Sequence, residues 1–134
     1  MAVGGKYDYD FSDKVVLVVE DNQISFKLMN AVLKQVKANV VHATNGKKAI
    51  EEIESETHFD LVLMDMQMPE VDGFEATRRI KEIRPDLPVV ATTANSYQET
   101  AIACLEAGCD EFLAKPLKFR ELFELMQSLF DRKK

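Results

Sequence analysis

Short apolar runs alternate regularly with longer amphipathic segments in this chain, and no other feature constrains its fold as strongly. The run Val15–Val19 is continuous and rich in β-branched residues, which predicts a strand buried on both faces. In the segment that follows, apolar residues recur at the spacing of one helix face, at Met29, Val32, Leu33 and Val36. Because the two patterns continue to alternate, we expect an α/β domain whose parallel sheet is covered by helices on both faces.

The same patterns predict the remaining elements. Further strands are expected at Val40–Ala43, Leu61–Met64, Val89–Thr92 and Glu111–Ala114. The apolar faces expected in the later helices are Ala49, Ile50 and Ile53; Ala76, Ile80 and Ile83; Ala101, Ile102 and Leu105; and Phe119, Leu122, Phe123, Met126, Leu129 and Phe130. The expected boundary signals are a helix start at Asn45–Gly46, capping boxes at Asp72–Glu75 and Ser96–Glu99, a helix end at Arg84–Pro85, and a C-terminal cap at Gly108.

Length and composition are those of one ordinary domain. With 134 residues, of which 46% are hydrophobic and 30% charged, the chain has enough apolar material for a core but no room for a second domain. The opening residues show no periodicity. We therefore expect a disordered or linker segment at 1–13 and the domain at 14–132.

Charge, cysteine and histidine content narrow the class of function. Lys and Arg number 17 against 23 Asp and Glu, and this net charge of −6, without a basic stripe, does not favour a nucleic-acid-binding surface. Cys104 and Cys109 match neither a CxxC nor a zinc spacing, which favours free thiols, buried or half-buried, in a reducing cytosol. His42 and His58 have no partners at ligand spacing, so structural or surface roles are expected. Because no apolar run reaches the length of a membrane span, we expect a soluble cytoplasmic protein.

Polar residues follow four of the predicted strands. The first strand ends in Glu20–Asp21, the third in Asp65, the fourth in Thr92–Thr93 and the fifth in Lys115–Pro116. In open parallel sheets, ligands bind beyond the carboxyl ends of the strands. We therefore expect these side chains to gather at one edge of the sheet and to form the functional site.

Three carboxylates at that edge, from Glu20, Asp21 and Asp65, would repel one another and raise each other's pKa values. A hard divalent cation relieves the repulsion, and an all-oxygen site with room for water favours Mg²⁺ over zinc. Lys115 adds a positive charge and Thr93 adds a hydroxyl donor. Together these groups suit phosphoryl transfer, in which positioning and charge neutralisation supply the catalysis.

Each of these residues also has an ordinary explanation when it is taken alone. Glu20–Asp21 could favour a helix N-terminus through the macrodipole, Asp65 could cap a turn, and Lys115 could be a solvated lysine. Phe112 could be a plain core residue. Their placement at one sheet edge is what favours a shared site.

Four stretches resemble the receiver domains of two-component response regulators. They are VVEDN at 18–22, LVLMDMQMPEVDG at 61–73, VVATTAN at 89–95 and EFLAKPL at 111–117. The resemblance covers nearly the whole chain after Asp13, and LVLMDMQMPEVDGFEATRRI and AGCDEFLAKPL are most similar to receivers attached to hybrid histidine kinases. It implies a flavodoxin-like, doubly wound (βα)5 fold with a five-stranded parallel sheet of order 2-1-3-4-5.

By this resemblance, Asp65 accepts a phosphoryl group from a phosphohistidine of a partner sensor kinase or histidine phosphotransfer domain. Glu20 and Asp21 match the acidic pair that holds Mg²⁺, for which Mn²⁺ can substitute, and Gln67 would lend its backbone carbonyl as a further ligand. The peptide bond Lys115–Pro116 matches one that is usually cis in the family.

The resemblance also implies a conformational switch. Thr93 and Lys115 match the hydroxyl and the lysine that contact the phosphoryl oxygens, and Phe112 matches the switch aromatic, here without a tyrosine hydroxyl. An inward movement of Thr93 would let the Phe112 ring turn in. This couples the site to the face formed by the fourth helix, fifth strand and fifth helix, through which a monomer could also form a weak dimer. We predict that Gln67 and Asn95 tune the lifetime of the phosphoryl group.

Three other functions fit parts of the pattern. A Mg²⁺-dependent phosphohydrolase of the haloacid-dehalogenase type carries a second acid where Gln67 stands, and it has a cap domain. A flavodoxin needs a phosphate-binding loop after the first strand, where Glu20–Asp21 would repel a flavin phosphate. A receiver-like binding module that works without phosphorylation does not need the full residue set. The chain is therefore expected to catalyse only its own phosphorylation and dephosphorylation, and to carry no output domain.

Overall fold

The computed structural model describes residues 9–67, 73–94 and 98–132. Within these ranges the chain forms five strands and five helices in strict alternation. The strands are β1 (Val15–Val19), β2 (Asn39–Ala43), β3 (Leu61–Asp65), β4 (Val89–Thr93) and β5 (Glu111–Ala114). The helices are α1 (Gln23–Gln35), α2 (Gly46–Glu54), α3 (Gly73–Ile83), α4 (Gln98–Ala107) and α5 (Phe119–Arg132). In the part of the chain just defined, no helix is long and apolar enough to cross a membrane.

The strands form one parallel sheet in the order β2-β1-β3-β4-β5, as the resemblance implied. After β2 the chain crosses to the other side of β1, so the strand order reverses between β1 and β3. In doubly wound sheets the crevice at such a reversal is where ligands bind. The topology therefore places the ends of β1 and β3 at the expected position of a site.

Side chains that alternate along each strand divide the core into two layers. Val16 and Val18 of β1 pack with α1 and α5, whereas Leu17 and Val19 pack with α2, α3 and α4. β3 and β4 are buried over their whole lengths. This two-sided burial is what the continuous apolar runs of the sequence predicted.

The expected boundaries hold wherever the structure describes them. Asn45 caps α2, its side-chain oxygen accepting the Lys48 backbone N–H at 2.8 Å. α3 ends at Ile83, just before Arg84–Pro85, and Gly108 follows α4 with a φ of 109°. The two predicted capping boxes begin at Asp72 and Ser96, which lie outside the described residues.

The buried face of α4 was predicted wrongly, whereas in α3 Ala76 and Ile80 are buried as predicted and only Ile83 is exposed. Ile102 and Leu105 are 47% and 59% exposed, and α4 instead buries Cys104 and Ala107. The stripe that packs against the sheet consists of small residues at three-residue spacing, while the larger apolar residues lie on the outer side. Ile83 is 42% exposed because it ends α3, so no further helical turn covers it.

The prediction of a disordered or linker segment at 1–13 is also corrected, because the described part of this segment belongs to the core. Phe11 is only 2% exposed, and its ring packs edge-on against Phe130 at a centroid distance of 5.1 Å. The Phe11 N–H donates to the Val36 carbonyl at 2.7 Å, and Tyr9 packs against Phe123. The folded unit therefore begins before residue 14, and residues 1–8 lie outside the described ranges.

Cys104 and Cys109 are free and buried, as predicted. They close the C-terminus of α4 in a Schellman arrangement, in which the Cys109 N–H donates to the Cys104 carbonyl and the Gly108 N–H donates to the Leu105 carbonyl, each at 3.0 Å. Burial raises the pKa of both thiols, that of Cys109 to about 12. They are therefore packing residues rather than nucleophiles.

Candidate functional site

The register of the sheet brings the predicted site residues to one edge. Val19 pairs with Met64, so the next residues along each strand, Glu20 and Asp65, are neighbours. Asp65 pairs with Thr92, and Thr93 pairs with Ala114, the residue before Lys115. The four strand ends that carry polar residues therefore meet at the carboxyl edge of the sheet, across the reversal of strand order.

Three carboxylates converge at this edge. Glu20, Asp21 and Asp65 each offer one oxygen, and these oxygens all lie within 4.8 Å of one another. Glu20 and Asp65 are 8% and 4% exposed, whereas Asp21 is open to solvent. The third strand ends in Asp65, as predicted, and this last residue of β3 is buried. The site is therefore a cleft with two buried acids and one acid at its mouth.

Lys115 supplies positive charge to this cleft. Its Nζ lies 3.4 Å from Glu20 Oε1 and 3.6 Å from Asp65 Oδ1, so one ammonium group bridges the two buried acids. The Lys115 N–H donates to the Thr93 carbonyl at 2.8 Å, which extends the pairing of β5 with β4 by one residue. The Lys115–Pro116 peptide bond is cis, as the resemblance implied.

The Glu20 carboxyl group is the most perturbed acid of the cleft. Burial raises its pKa to about 7, and the hydrogen bond and charge of the neighbouring Asp65 carboxyl act in the same direction, against the opposing effects of Lys115 and the Asn22 N–H. Near neutral pH, the Glu20 carboxyl group of the metal-free protein is therefore partly protonated. Carboxylate oxygens crowded together in this way are a donor set that fits a hard divalent cation such as Mg²⁺.

The loop after Asp65 is tied to the end of β4. The Gln67 N–H donates to Asp65 Oδ1 at 3.1 Å, and Gln67 Oε1 accepts the Ala94 N–H at 3.2 Å. Thr93 is fully buried at the end of β4. Gln67 thus links the strand end that carries the candidate acceptor with the one that carries the candidate hydroxyl. Asn95, the other polar residue expected here, lies outside the described residues.

Phe112 lies in the middle of the edge strand β5, opposite Ala91 of β4. Its side chain is half-buried and packs against the core layer formed with α2, α3 and α4. The ring is therefore on the side of the sheet that α4 covers, and one strand, β4, lies between it and the strand of Asp65.

Sequence reasoning missed two residues that shape the site. A Cβ added to Gly73 would lie 2.7 Å from Met66 Cα and 2.8 Å from the Asp65 carbonyl oxygen, so only glycine lets α3 begin this close to the acceptor strand. His42 has a structural role, as expected, but its contact with the site was not foreseen: its Nε2 lies 2.8 Å from the Glu20 carbonyl oxygen. His58, by contrast, is exposed, and its Nε2 lies 3.0 Å from Asp60 Oδ1, away from the site.

An apolar cavity of about 200 Å³ opens beside the carboxylates, between α1 and the segment that joins β5 to α5. Glu20 and Lys115 form its polar end, and its apolar wall includes Leu28, Met29 and Leu117. On the same helix, Ile24 and Leu28 are 80% and 58% exposed. The cleft is therefore flanked by an exposed apolar surface, which we call the α1 rim and define as Ile24 and Leu28.

Comparison with known proteins places the sequence in a family. It matches the response regulator receiver domain over residues 16–127. It is 34% identical to hybrid signal transduction histidine kinase L of Dictyostelium discoideum over 84% of this chain, and 34% identical to histidine kinase 3 of Arabidopsis thaliana over 87%. The chain spans only 7% and 13% of the lengths of these two relatives.

Solved structures agree with the fold. A receiver domain of a sensor histidine kinase from Pseudomonas aeruginosa, with a magnesium ion coordinated in its active-site cleft, is 33% identical and has a TM-score of 0.82 over 88% of this chain and 98% of that one. The receiver domain of a Francisella response regulator is 26% identical, with a TM-score of 0.83 over 90% of this chain and 99% of that one.

Proposed function

This chain belongs to the response regulator receiver domain family, and we propose that it acts as a phosphoacceptor signalling domain in which Asp65 receives the phosphoryl group. The observation that carries the proposal is the convergence of two other carboxylates, those of Glu20 and Asp21, and of the Lys115 ammonium group on a single buried aspartate. Asp65 is the acid at the centre of this arrangement, since it lies beside Glu20, Lys115 and the Gln67 N–H.

The donor set supports a Mg²⁺ site held by Glu20, Asp21 and Asp65. The resemblance to receiver domains suggests the Gln67 backbone carbonyl as a further ligand. When bound, the ion supplies positive charge that offsets the acids and the incoming phosphoryl oxygens. Glu20 must be ionised for all three acids to become ligands. Because its pKa is about 7, this ionisation costs little at physiological pH.

The chemical step uses Asp65 as the nucleophile. One Asp65 carboxylate oxygen attacks the phosphorus of a phosphohistidine, the P–N bond breaks, and its electron pair stays on the imidazole of the donor. Lys115 Nζ, now 3.6 Å from Asp65 Oδ1, is positioned to follow a phosphoryl oxygen once the acyl phosphate forms. Thr93, at the end of the neighbouring strand β4, supplies a hydroxyl donor.

The donor is a histidine kinase or a histidine phosphotransfer domain, and it must bring an imidazole to the cleft. The α1 rim supports this, because exposed Leu28 lines the cavity that opens next to Glu20 and Lys115, and exposed Ile24 lies one helical turn before it. A partner that covers the rim would bury apolar surface and exclude water from the reacting atoms.

The output is a change on the face formed by α4, β5 and α5. Thr93 shares its strand end with the Gln67–Ala94 link, and Phe112 packs on the side of the sheet that α4 covers. Ile102 and Leu105 lie exposed on α4 and offer apolar surface to a downstream partner or to a second copy in a weak dimer. The movement of Thr93 towards a phosphoryl oxygen would bias the position of the Phe112 ring.

Amide spectra recorded with beryllofluoride, a phosphoryl mimic, test this function. With Mg²⁺ present, we expect shifts at Glu20, Thr93, Phe112 and Leu105 in the wild type and in a control variant, Asp86→Asn, which changes an exposed acid. Asp65→Asn should show none of them. Identical shifts in Asp65→Asn, or shifts that do not need Mg²⁺, would overturn the proposal.

A further inference from the structure

His42 reaches beyond its own strand pair to the acidic site. It is the fourth residue of β2 and pairs with Val18, yet its side chain extends past Val19 to Glu20. Its Nε2 lies 2.8 Å from the Glu20 carbonyl oxygen. Since a carbonyl oxygen only accepts hydrogen bonds, Nε2 must carry a proton and donate it.

The orientation of the His42 ring is fixed from α1. The ring stacks on Phe26 with a centroid distance of 3.6 Å and an interplanar angle of 3°. Phe26 lies in the first half of α1, the helix that follows Glu20 and Asp21 in the chain. Half-burial between β2 and α1 restricts the ring to the direction that points Nε2 at Glu20.

Glu20 itself depends on β2 for its backbone position. β1 ends at Val19, so Glu20 lies one residue beyond the strand. Its N–H donates to the Ala43 carbonyl at 3.0 Å, and its carbonyl accepts from His42. Two adjacent residues of β2, one through its backbone and one through its ring, therefore hold both polar backbone groups of Glu20.

We propose that His42 is a positioning residue of the metal site, because its Nε2–H fixes the Glu20 carbonyl and so directs Glu20 and Asp21 towards Asp65. The inference rests on the proposed function, which requires a divalent cation at these acids. His42 contacts no reacting atom, and its role needs the N–H donor rather than a change in ring charge. Partners that orient metal ligands in this way are worth about 10–100-fold in metal affinity.

The experiment compares ring variants of the full chain in a Mg²⁺ titration followed by amide spectra. His42→Phe keeps a ring that can stack on Phe26 but removes the donor, and we expect its Kd for Mg²⁺ to rise about tenfold. His42→Gln restores an N–H donor and should recover most of the affinity. His58→Phe is the matched control, since His58 is exposed and hydrogen-bonds to Asp60 rather than to the site, and its Kd should equal that of the wild type.

A merely structural role is separated by urea unfolding of the same variants. If His42 were merely structural, His42→Phe would have a lower free energy of unfolding but an unchanged Kd for Mg²⁺. That result would overturn the positioning role and leave the proposed function standing. Failure of the wild type to bind Mg²⁺ would instead contradict the proposed function, and the positioning role with it.

If His42→Phe does not fold, spectra of the wild-type protein test the positioning role instead. Ring nitrogen spectra should show His42 in the Nε2–H form, with a slowly exchanging proton whose shift moves on Mg²⁺ addition. A ring that averages between tautomers, or an Nε2–H that is indifferent to Mg²⁺, would overturn the proposal.

Discussion

Glu20 directly follows β1 and Asp65 ends the neighbouring β3, so the Asp65 carboxyl group contributes to the raised pKa of Glu20. Their identity as site residues could be predicted from the sequence, because each follows an apolar run and parallel strands share one carboxyl edge. The role of His42 could not be predicted in the same way. Its partner is a backbone carbonyl 22 positions away, and the contact depends on a rotamer that Phe26 selects.

The pH dependence of stability tests the state of Glu20 in the metal-free protein. Its pKa is about 7 when folded against an ordinary value of 4.5, so between these values the folded protein binds more protons than the unfolded chain. Its contribution to the free energy of unfolding is therefore complete below pH 4.5 and is lost as the pH rises to about 7.

Urea unfolding in the presence of a chelator measures this effect against Glu20→Gln, which cannot titrate. The free energy of unfolding of the wild type minus that of Glu20→Gln should fall as the pH rises across this range and should level off above it. Parallel profiles for the two proteins would contradict a raised pKa at Glu20.

At the scale of single elements, strand positions followed from the sequence to within one residue, whereas helix faces did not always follow. The β-branched runs are buried on both faces, so no choice of face was needed. In α4 the buried stripe contains Cys104 and Ala107, which carry less apolar surface than Ile102 and Leu105 on the outer side. Hydrophobicity alone therefore selected the wrong face.

The C-terminus of α1 contains a strained residue. Lys37 has a φ of 66°, and the Ala38 N–H donates to the Leu33 carbonyl at 3.1 Å, as in a Schellman motif that usually has glycine at this position. We expect Lys37→Gly to raise the free energy of unfolding by about 0.5–1 kcal/mol in urea, since glycine adopts positive φ without strain. Lys34→Gly, in the helical part of α1, should lower it by a similar amount, about 0.5–1 kcal/mol. Equal effects of the two changes would contradict this account.

At the scale of the whole molecule, the order of the strands was implied by the resemblance and is confirmed, while the extent of the domain was underestimated. The segment before β1 has no periodic pattern, because a chain that crosses the end of the core needs only one or two anchors. Phe11 is such an anchor, inserted between α1 and α5. A single buried aromatic gives no period from which it could be recognised.

Variants of the α1 rim distinguish the recognition of a protein donor from the chemical step in the cleft. We expect Ile24→Ala with Leu28→Ala to slow phosphotransfer from a phosphorylated histidine phosphotransfer domain by about fivefold or more, which corresponds to roughly 1 kcal/mol. Phosphorylation by acetyl phosphate should be unchanged, since this donor is too small to cover the rim.

The matched control for the rim is Ile102→Ala with Leu105→Ala, a similarly exposed apolar pair on α4. It should leave both rates unchanged. If the α1 and α4 pairs slow protein-donor transfer equally, or if the α1 pair also slows acetyl phosphate, the rim is not the docking surface.

The intact mass after incubation with acetyl phosphate tests the central claim most directly. In Mg²⁺, the wild type and the control Asp86→Asn should each gain the mass of one phosphoryl group, and peptide mapping should locate it on Asp65. With a chelator in place of Mg²⁺ neither should gain it, and Asp65→Asn should not gain it under either condition. A phosphorylated Asp65→Asn, or a wild type that stays unmodified in Mg²⁺, would contradict the assignment of Asp65 as the phosphoacceptor.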